Sequence, residues 1–302
     1  MREVAVVTTG FFDGVHLGHR HVLSAVVSSA RERGEEAVVV TFWPHPRTVL
    51  QQDARDFRIL TSLEEKKMLL ADAGIDRVEV LPFTRAFAAL TAAEYLALLR
   101  EKFGATLVVM GYDNHIGADK LTAREISLTP VIVVDPCHSE RSEESPISST
   151  KIRKALEAGD VERANGMLGY AYGLYGVVVA GNRLGRTIGF PTANMQLYEP
   201  LKLVPGNGVY AVDVEVLGRR YRGMCNIGTR PTVSGTARTI ETHILDFDED
   251  IYGLPLRLQF LRRIRDERKF PSLDALKEQL VRDAASARGV FFCQRGGQGL
   301  ED

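Results

Sequence analysis

The sequence predicts a doubly wound α/β domain built on a parallel sheet, followed by an antiparallel β-barrel domain with a C-terminal helix. Three observations carry this. Val-rich runs alternate with helical patterns through the first half, as strands buried on both faces of a parallel sheet require. After about residue 170 the pattern changes to apolar–polar alternation punctuated by glycine turns, which suits an antiparallel barrel. The 302 residues allow two domains at roughly 150 residues each.

The elements follow in order. Strands are predicted at Val4–Thr9, Ala37–Phe42, Val78–Leu81, Thr106–Met110 and Pro130–Val134. Ser62-Leu-Glu-Glu65 and Thr91-Ala-Ala-Glu94 read as capping boxes opening helices between them. Residues 135–146 are polar and aperiodic, hence an exposed loop. Ile152 to Leu168 reads as one helix ended by Gly169. Beyond it, Tyr210, Val212, Val214 and Val216 alternate with Asp213 and Glu215, and Gly218 sits at a hairpin turn before Tyr221–Asn226. Thr239–Phe247 and Pro255–Leu261 are further strands. Ser272 caps a last helix with Leu273, Leu276 and Leu280 on one face. The domains are therefore placed at 1–169 and 170–290, with a loose tail over 291–302.

Composition bounds the function. Hydrophobic residues are 45% and charged residues 25%, and the net charge is −1, so nothing global points to nucleic acid or to an anionic membrane. The three cysteines have no metal-ligand spacing and suit a reducing cytoplasm. The longest apolar run, from Ala37 to Trp43, is too short to span a bilayer, and the N-terminus runs straight into a strand with no signal peptide.

The first candidate site is the string Thr9-Gly-Phe-Phe-Asp-Gly-Val-His-Leu-Gly-His19, at the carboxyl end of the first strand and before a helix starting near Arg20. Open parallel sheets bind ligands at that end. Gly10 and Gly14 let backbone approach a ligand, and His16 and His19 lie at a helix N-terminus, whose N–H groups attract phosphate. Imidazole donors there stabilise the charge that develops as a triphosphate loses pyrophosphate. Two other readings stay open: a metal site drawing on His16, His19, His21 or His45, and a plain glycine turn.

The string resembles nucleotidyltransferases that carry His-x-Gly-His, and in the Phe-Asp-Gly-Val-His-x-Gly-His form it resembles the prokaryotic bifunctional riboflavin kinase/FMN adenylyltransferase (FAD synthetase) family. Thr41-Phe-Trp-Pro-His-Pro46, Gly111-Tyr-Asp113 and Ile147-Ser-Ser-Thr-Lys-Ile-Arg153 match further family strings. The resemblance implies ATP contacts from Phe12, Asp13, Asp113, Ser148, Ser149, Thr150 and Arg153, the last catalytic with His16 and His19. It implies flavin contacts at Trp43 and His45. Taken alone, Ser148-Ser-Thr150 suits a helix N-cap and Trp43–Pro46 a stiff turn. The chain departs from the family after Asp113. The usual aromatic, basic glycine loop is replaced by Asn114-His-Ile-Gly-Ala-Asp-Lys120 and a short segment to Ile126.

The second candidate site is Val178-Val-Ala-Gly-Asn-Arg-Leu-Gly-Arg-Thr-Ile-Gly-Phe-Pro-Thr-Ala-Asn194, which follows a strand. Gly181, Gly185 and Gly189 suit a phosphate-cradling loop. Thr192 and Asn194 offer a hydroxyl and an amide oxygen to Mg²⁺ beside ATP. Gly-Phe-Pro-Thr-Ala-Asn resembles the riboflavin kinase signature, and Asn226–Thr232 and Glu241–Phe247 match two more of its strings. The resemblance implies Glu241 as the catalytic base and flavin contacts from Gly189, Phe190 and Arg268. A carboxylate in reach of the ribityl hydroxyl can take its proton. His243 and Cys225 read as structural.

The expected function is FAD biosynthesis: riboflavin and ATP give FMN in the second domain, and FMN and ATP give FAD and pyrophosphate in the first. The departure after Asp113 leaves open a riboflavin kinase with a weakened adenylyltransferase domain. A non-catalytic flavin- or nucleotide-binding module is the remaining alternative. The basic cluster from Arg262 to Lys269 lacks the interleaved aromatics of a nucleic-acid surface.

Overall fold

The computed structural model describes residues 4–50, 57–112, 114–122, 125–126, 130–135, 147–181, 184–232 and 235–290. Asp113, most of the 135–146 loop and the 291–302 tail lie outside these. The chain divides into two compact units, Met1–Ser149 and Thr150–Asp302.

The first unit is a five-stranded parallel sheet. Its strands are β1 (Ala5–Thr9), β2 (Glu36–Trp43), β3 (Arg77–Pro82), β4 (Ala105–Gly111) and β7 (Val131–Val134), in the order β3-β2-β1-β4-β7. Between β4 and β7, β5 (His115–Ile116) and β6 (Leu121–Thr122) form a small hairpin. β1 is buried at every residue, which is why it reads as an unbroken apolar run. Separate clusters cover the two faces. One packs Leu23, Val26 and Ala30 of α1 (Leu17–Arg33) on the sheet, and the other packs Tyr95, Leu96 and Leu99 of α5 (Ala92–Phe103). The short α2 (Pro46–Leu50), α3 (Leu63–Asp72) and α4 (Arg85–Ala88) complete the connections. Both predicted capping boxes form, at Ser62/Glu65 on α3 and at Thr91/Glu94 on α5.

The predicted helix from Ile152 to Leu168 is two helices, α6 (Ser149–Glu157) and α7 (Val161–Leu168). Gly159 breaks it with a left-handed φ of 80°, and a Cβ there would come 2.7 Å from the Tyr210 hydroxyl. Asp160 then recaps the chain by accepting the Arg163 N–H. Gly169 ends α7 as expected.

The second unit is a closed antiparallel barrel of β8 (Gly173–Val179), β9 (Ala193–Leu197), β10 (Gly208–Val216), β11 (Arg219–Thr232), β12 (Gly235–Ile244) and β13 (Pro255–Arg265), in the order β10-β11-β12-β9-β8-β13. One turn of helix, α8 (Leu184–Thr187), lies between β8 and β9. The inside is filled by Tyr210, Val212, Val214, Leu258 and Phe260, each fully buried. The final helix, α9 (Leu273–Arg288), lies on the outer face of β10, β11 and β13. Of the predicted face, Leu280 packs against the barrel cluster and Leu276 lines a cavity beside it. Ala284 and Ala287 make the close contact and Leu273 is exposed, because small side chains let the helix approach the sheet.

Candidate active sites

In the first unit, β1 delivers the chain into a tight loop. Phe12, Gly14 and Val15 all take positive φ, 47°, 87° and 37°. A β-branched residue such as Val15 adopts this only under local strain, a feature typical of functional loops. Asp13 holds the loop closed. Its buried carboxylate accepts the N–H groups of Leu60 and Thr61 at 2.9 and 3.1 Å. The Thr61 hydroxyl in turn accepts the Gly14 N–H.

His16 caps α1, which starts at Leu17 rather than near Arg20, because the His16 Nδ1 accepts the His19 N–H. A neutral His16 ring therefore carries its proton on Nε2. The His16 and His19 rings stack, with centroids 3.6 Å apart and 16° between planes. Loss of water around His19, then the charges of His16 and Lys66, hold its pKa well below the ordinary histidine value. It is thus a neutral hydrogen-bonding group at pH 7. The His19 Nδ1 and Arg20 Nε are buried and lack a hydrogen-bond partner among the described residues. Buried polar atoms of this kind call for a ligand or water. Ser149 joins the loop by donating to the Asp13 carbonyl at 2.9 Å.

Beside this loop lies a cavity of about 520 Å³ at the carboxyl ends of the strands. Phe11, Phe42, Phe83, Phe87 and Tyr95 line it, with ring centroids 5.2–6.4 Å apart. The Thr9 and Tyr95 hydroxyls are hydrogen-bonded at 2.5 Å at its edge. The β5–β6 hairpin forms one wall. Gly117 passes so close to α5 that a Cβ would meet the Ala92 nitrogen at 2.1 Å, and the Asp119 carboxylate accepts the Ala92 N–H.

In the barrel, strand register assembles the site. Asn194 of β9 pairs with Glu241 of β12, Glu241 with Asn226 of β11, Asn226 with Val209 of β10, and Val209 with Arg265 of β13. Directly opposed residues on antiparallel strands share a face. Five residues distant in sequence thus form one row on the outer face. A cavity of about 320 Å³ lies over this row, lined by Val209, Asn226, Glu241, Arg265, Arg268 and Phe190, with Leu276 and Leu280 of α9. The Arg268 guanidinium sits 4.8 Å from the Phe270 ring centre.

A second cavity of about 260 Å³ is lined by Arg186, Thr242, Asp248, Glu249, Asp250 and Tyr252. Thr192 lines both. Its loop is pinned by His243, whose Nδ1 is 2.8 Å from the Pro191 carbonyl. The carbonyl can only accept, so His243 is the donor, and burial, only partly opposed by that bond, lowers its pKa. Gly181 is small because Asn194 lies over it: a Cβ would come 2.2 Å from the Asn194 Nδ2. Gly185 leaves room for the Phe190 carbonyl in the same way.

Two family models divide the chain. FAD synthetase matches residues 1–151 and riboflavin kinase matches residues 168–291. The bifunctional riboflavin kinase/FMN adenylyltransferase of Escherichia coli K12 is 38% identical over 96% of this chain and 94% of its own. The Bacillus subtilis enzyme of the same name is 36% identical over 95% and 92%. The chain belongs to the bifunctional riboflavin kinase/FMN adenylyltransferase family. A crystal structure described as a macrolide-efflux protein from Streptococcus pneumoniae superposes with a TM-score of 0.90, 37% identity, and 96% and 95% coverage. No helix among the described residues here is long and apolar enough to cross a membrane.

Against the family strings, the first unit brings together Gly10, Phe12, Asp13, Gly14, His16, His19 and Ser149 in one loop cluster, with Ile147 beside Gly18. Ser148 precedes α6, and Thr150 and Arg153 follow on it. Asp113 lies outside the described residues. Trp43 does not line the ring cavity and its strand neighbour Phe42 does, since successive strand residues face opposite ways. His45 reaches the cavity wall through Phe11, centroid to centroid 4.2 Å. The cavity aromatics Phe83, Phe87 and Tyr95 were not singled out from sequence, because the segment just after β3, α4 and α5 meet only in the fold. Asn226 was noted only as the start of a matched string and Arg265 only within the basic cluster, because their place in line with Glu241 depends on a register that cannot be read from one strand. In the barrel, Gly185, Phe190, Thr192, Glu241 and Arg268 do converge on one cavity. Gly189 adjoins it at a φ of 84°.

Proposed function

We propose that the barrel phosphorylates riboflavin to FMN and that the parallel-sheet unit adenylylates FMN to FAD. One observation carries this: each unit sets an aromatic-walled cavity of flavin size against groups suited to phosphate chemistry.

In the barrel, riboflavin occupies the cavity over the Glu241 row, against Phe190, Gly189 and Arg268. ATP occupies the adjoining cavity, with its phosphates toward Gly181 and toward Gly185, which lines the riboflavin cavity. Thr192 stands where the two meet. Glu241 takes the proton of the terminal ribityl hydroxyl, whose oxygen then attacks the γ-phosphorus as ADP leaves. The Thr192 hydroxyl and the Asn194 amide, the latter seated over Gly181, are hard oxygen donors that would hold Mg²⁺. When bound, the ion neutralises charge on the phosphoryl oxygens.

In the parallel-sheet unit, the isoalloxazine stacks among Phe11, Phe42, Phe83 and Phe87, with His45 and Trp43 behind that wall. ATP phosphates lie on the Gly10–Gly14 loop and the α1 N-terminus, with Ser148, Ser149, Thr150, Arg153 and Asp113 assigned to the nucleotide. An FMN phosphate oxygen attacks the α-phosphorus and pyrophosphate leaves. His16 and His19 donate to the oxygens that gain charge. The shortened segment after Asp113 builds a cavity wall, which favours an active adenylyltransferase over a weakened one. Reactions on ATP and flavins place the enzyme in the cytoplasm, with small molecules and neither nucleic acid nor membrane as partners.

The test is to incubate the protein with riboflavin, ATP and Mg²⁺ and to follow FMN and FAD by chromatography. FMN should appear first and FAD after it. EDTA should stop FMN formation and added Mg²⁺ restore it. Turnover of riboflavin in excess chelator would refute the metal assignment.

A further inference from the structure

Lys66 has no place in the reactions as assigned so far, yet its position is unusual. It lies in the first turn of α3 and is only 2% exposed. Its ammonium sits 5.1 Å from the Phe11 ring centre and 6.0 Å from that of Trp43. No carboxylate among the described residues forms an ion pair or a hydrogen bond with it. Asp13 is near enough to favour its charge, but that carboxylate is bonded to Leu60 and Thr61. A buried ammonium without a paired carboxylate costs stability, and such a cost persists where a ligand supplies the counter-charge.

The surroundings identify that ligand. On one side is Phe11, which walls the ring cavity. On the other is His19 of the nucleotide loop, which feels the lysine charge. Lys66 stands behind Phe11 rather than in the cavity lining, between that cavity and the triphosphate loop, and the assigned reaction puts the FMN phosphate between the same two places. That phosphate is a dianion and must approach a polyanion, so it is the group that most needs a fixed positive charge. We infer that Lys66 binds the 5′-phosphate of FMN in the adenylylation step, and that it distinguishes FMN from unphosphorylated riboflavin at this cavity. The inference rests on the assignment of FMN adenylylation to this unit.

Three measurements on the full-length protein test it. Lys66→Met keeps length and removes charge. With FMN as the varied substrate, kcat/KM for FAD formation should fall about 10²-fold, as for loss of one preorganised electrostatic contact. KM for ATP should change much less, and riboflavin phosphorylation should stay as in the wild type. Lys66→Arg should recover part of the loss. The melting temperature of Lys66→Met should hold or rise, because the uncompensated buried charge is gone; a lysine kept for packing would lower it.

The third measurement needs no variant. Burial lowers the Lys66 pKa to about 8, against the partial support of Asp13. The neighbouring titratable groups are Asp13 and His19, with His16 stacked on His19. The charged lysine is the binding form, so kcat/KM for FMN should decline above pH about 8 while the wild-type kinase step does not share that decline. Three results overturn the inference: full FAD formation by Lys66→Met, a defect confined to ATP, or a wild-type profile that stays flat from pH about 8 to the ordinary lysine range of about 10. A wild-type protein that makes no FAD from FMN refutes instead the underlying assignment, and the inference falls with it.

Discussion

The two units handle the same pair of substrates, a flavin and ATP, by different routes. The parallel sheet brings its chemistry out at strand ends. β1 terminates in a strained loop, α1 begins, and the residues proposed to act on phosphate lie mainly in the stretch from Gly10 to His19, joined by the Ser148–Arg153 segment, Asp113 and Lys66. The barrel displays its chemistry along the strands. Asn194, Glu241, Asn226, Val209 and Arg265 come from five strands and meet only through register. On the proposed reading the first design relies on helix-terminal N–H groups and buried imidazoles, and the second on a carboxylate placed beside a shared threonine. The difference teaches what each can tolerate. A loop site depends on local backbone conformation, whereas a register site depends on the integrity of the whole closed barrel.

The largest effect that separates the units is expected from Glu241→Gln. It keeps size and removes the proposed base, and such losses cost about 10²–10⁴ in rate. FMN should no longer form from riboflavin, while FAD should still form from supplied FMN. The readout is chromatographic quantification of all three flavins from each starting substrate. If both steps fall together in a folded variant, the two sites are shared and the comparison fails.

His16→Ala is the mirror experiment. Removing one donor to a developing oxyanion costs about 10²–10³. Starting from riboflavin, FMN should accumulate and FAD should lag. Normal FAD formation by this variant would move the catalytic role away from the stacked histidines.

A stability probe sharpens the contrast between register and loop. Phe260 is fully buried in the barrel, its ring 5.4 Å from that of Tyr210. Phe260→Ala should cost about 3–5 kcal/mol. On heating, the variant should lose kinase activity well before adenylyltransferase activity. Simultaneous loss would show that the units unfold as one.

The smallest effect is Ser62→Ala. It removes the side chain that accepts the Glu65 N–H and so breaks the α3 capping box. Caps of this kind contribute about 1 kcal/mol. A modest fall in the denaturation midpoint of the adenylyltransferase activity, with the kinase midpoint unchanged, is the expected result.

Most elements were legible because their signals are local. The Val-rich β1 and β2, the capping boxes at Ser62 and Thr91 and the alternation through β10 each follow from a few neighbouring residues. The error over α6 and α7 has the same origin. Helical periodicity runs through Gly159 and hides two local signals, the left-handed φ of Gly159 and the Asp160 cap, while the Tyr210 hydroxyl that leaves no room for a Cβ comes from a strand further along the chain. On α9 the leucines carry the hydrophobic pattern, while the barrel selects Ala284 and Ala287 for close approach.

By itself the sequence determined the two fold types, the loop that carries His16 and His19, and the string that carries Thr192 and Asn194. Each of these is a contiguous stretch whose conformation is set by glycine, proline and capping residues within it. Tertiary structure alone decided that Phe42 rather than Trp43 faces the ring cavity, that Asn226 and Arg265 stand in line with Glu241, and that Lys66 is buried without a paired carboxylate among the described residues. The physical reason is common to all three. Which face a strand residue presents, which residue opposes it and which charge is shut away from water are set by chain segments far apart in sequence. Those contacts exist only once the sheet and the barrel have closed.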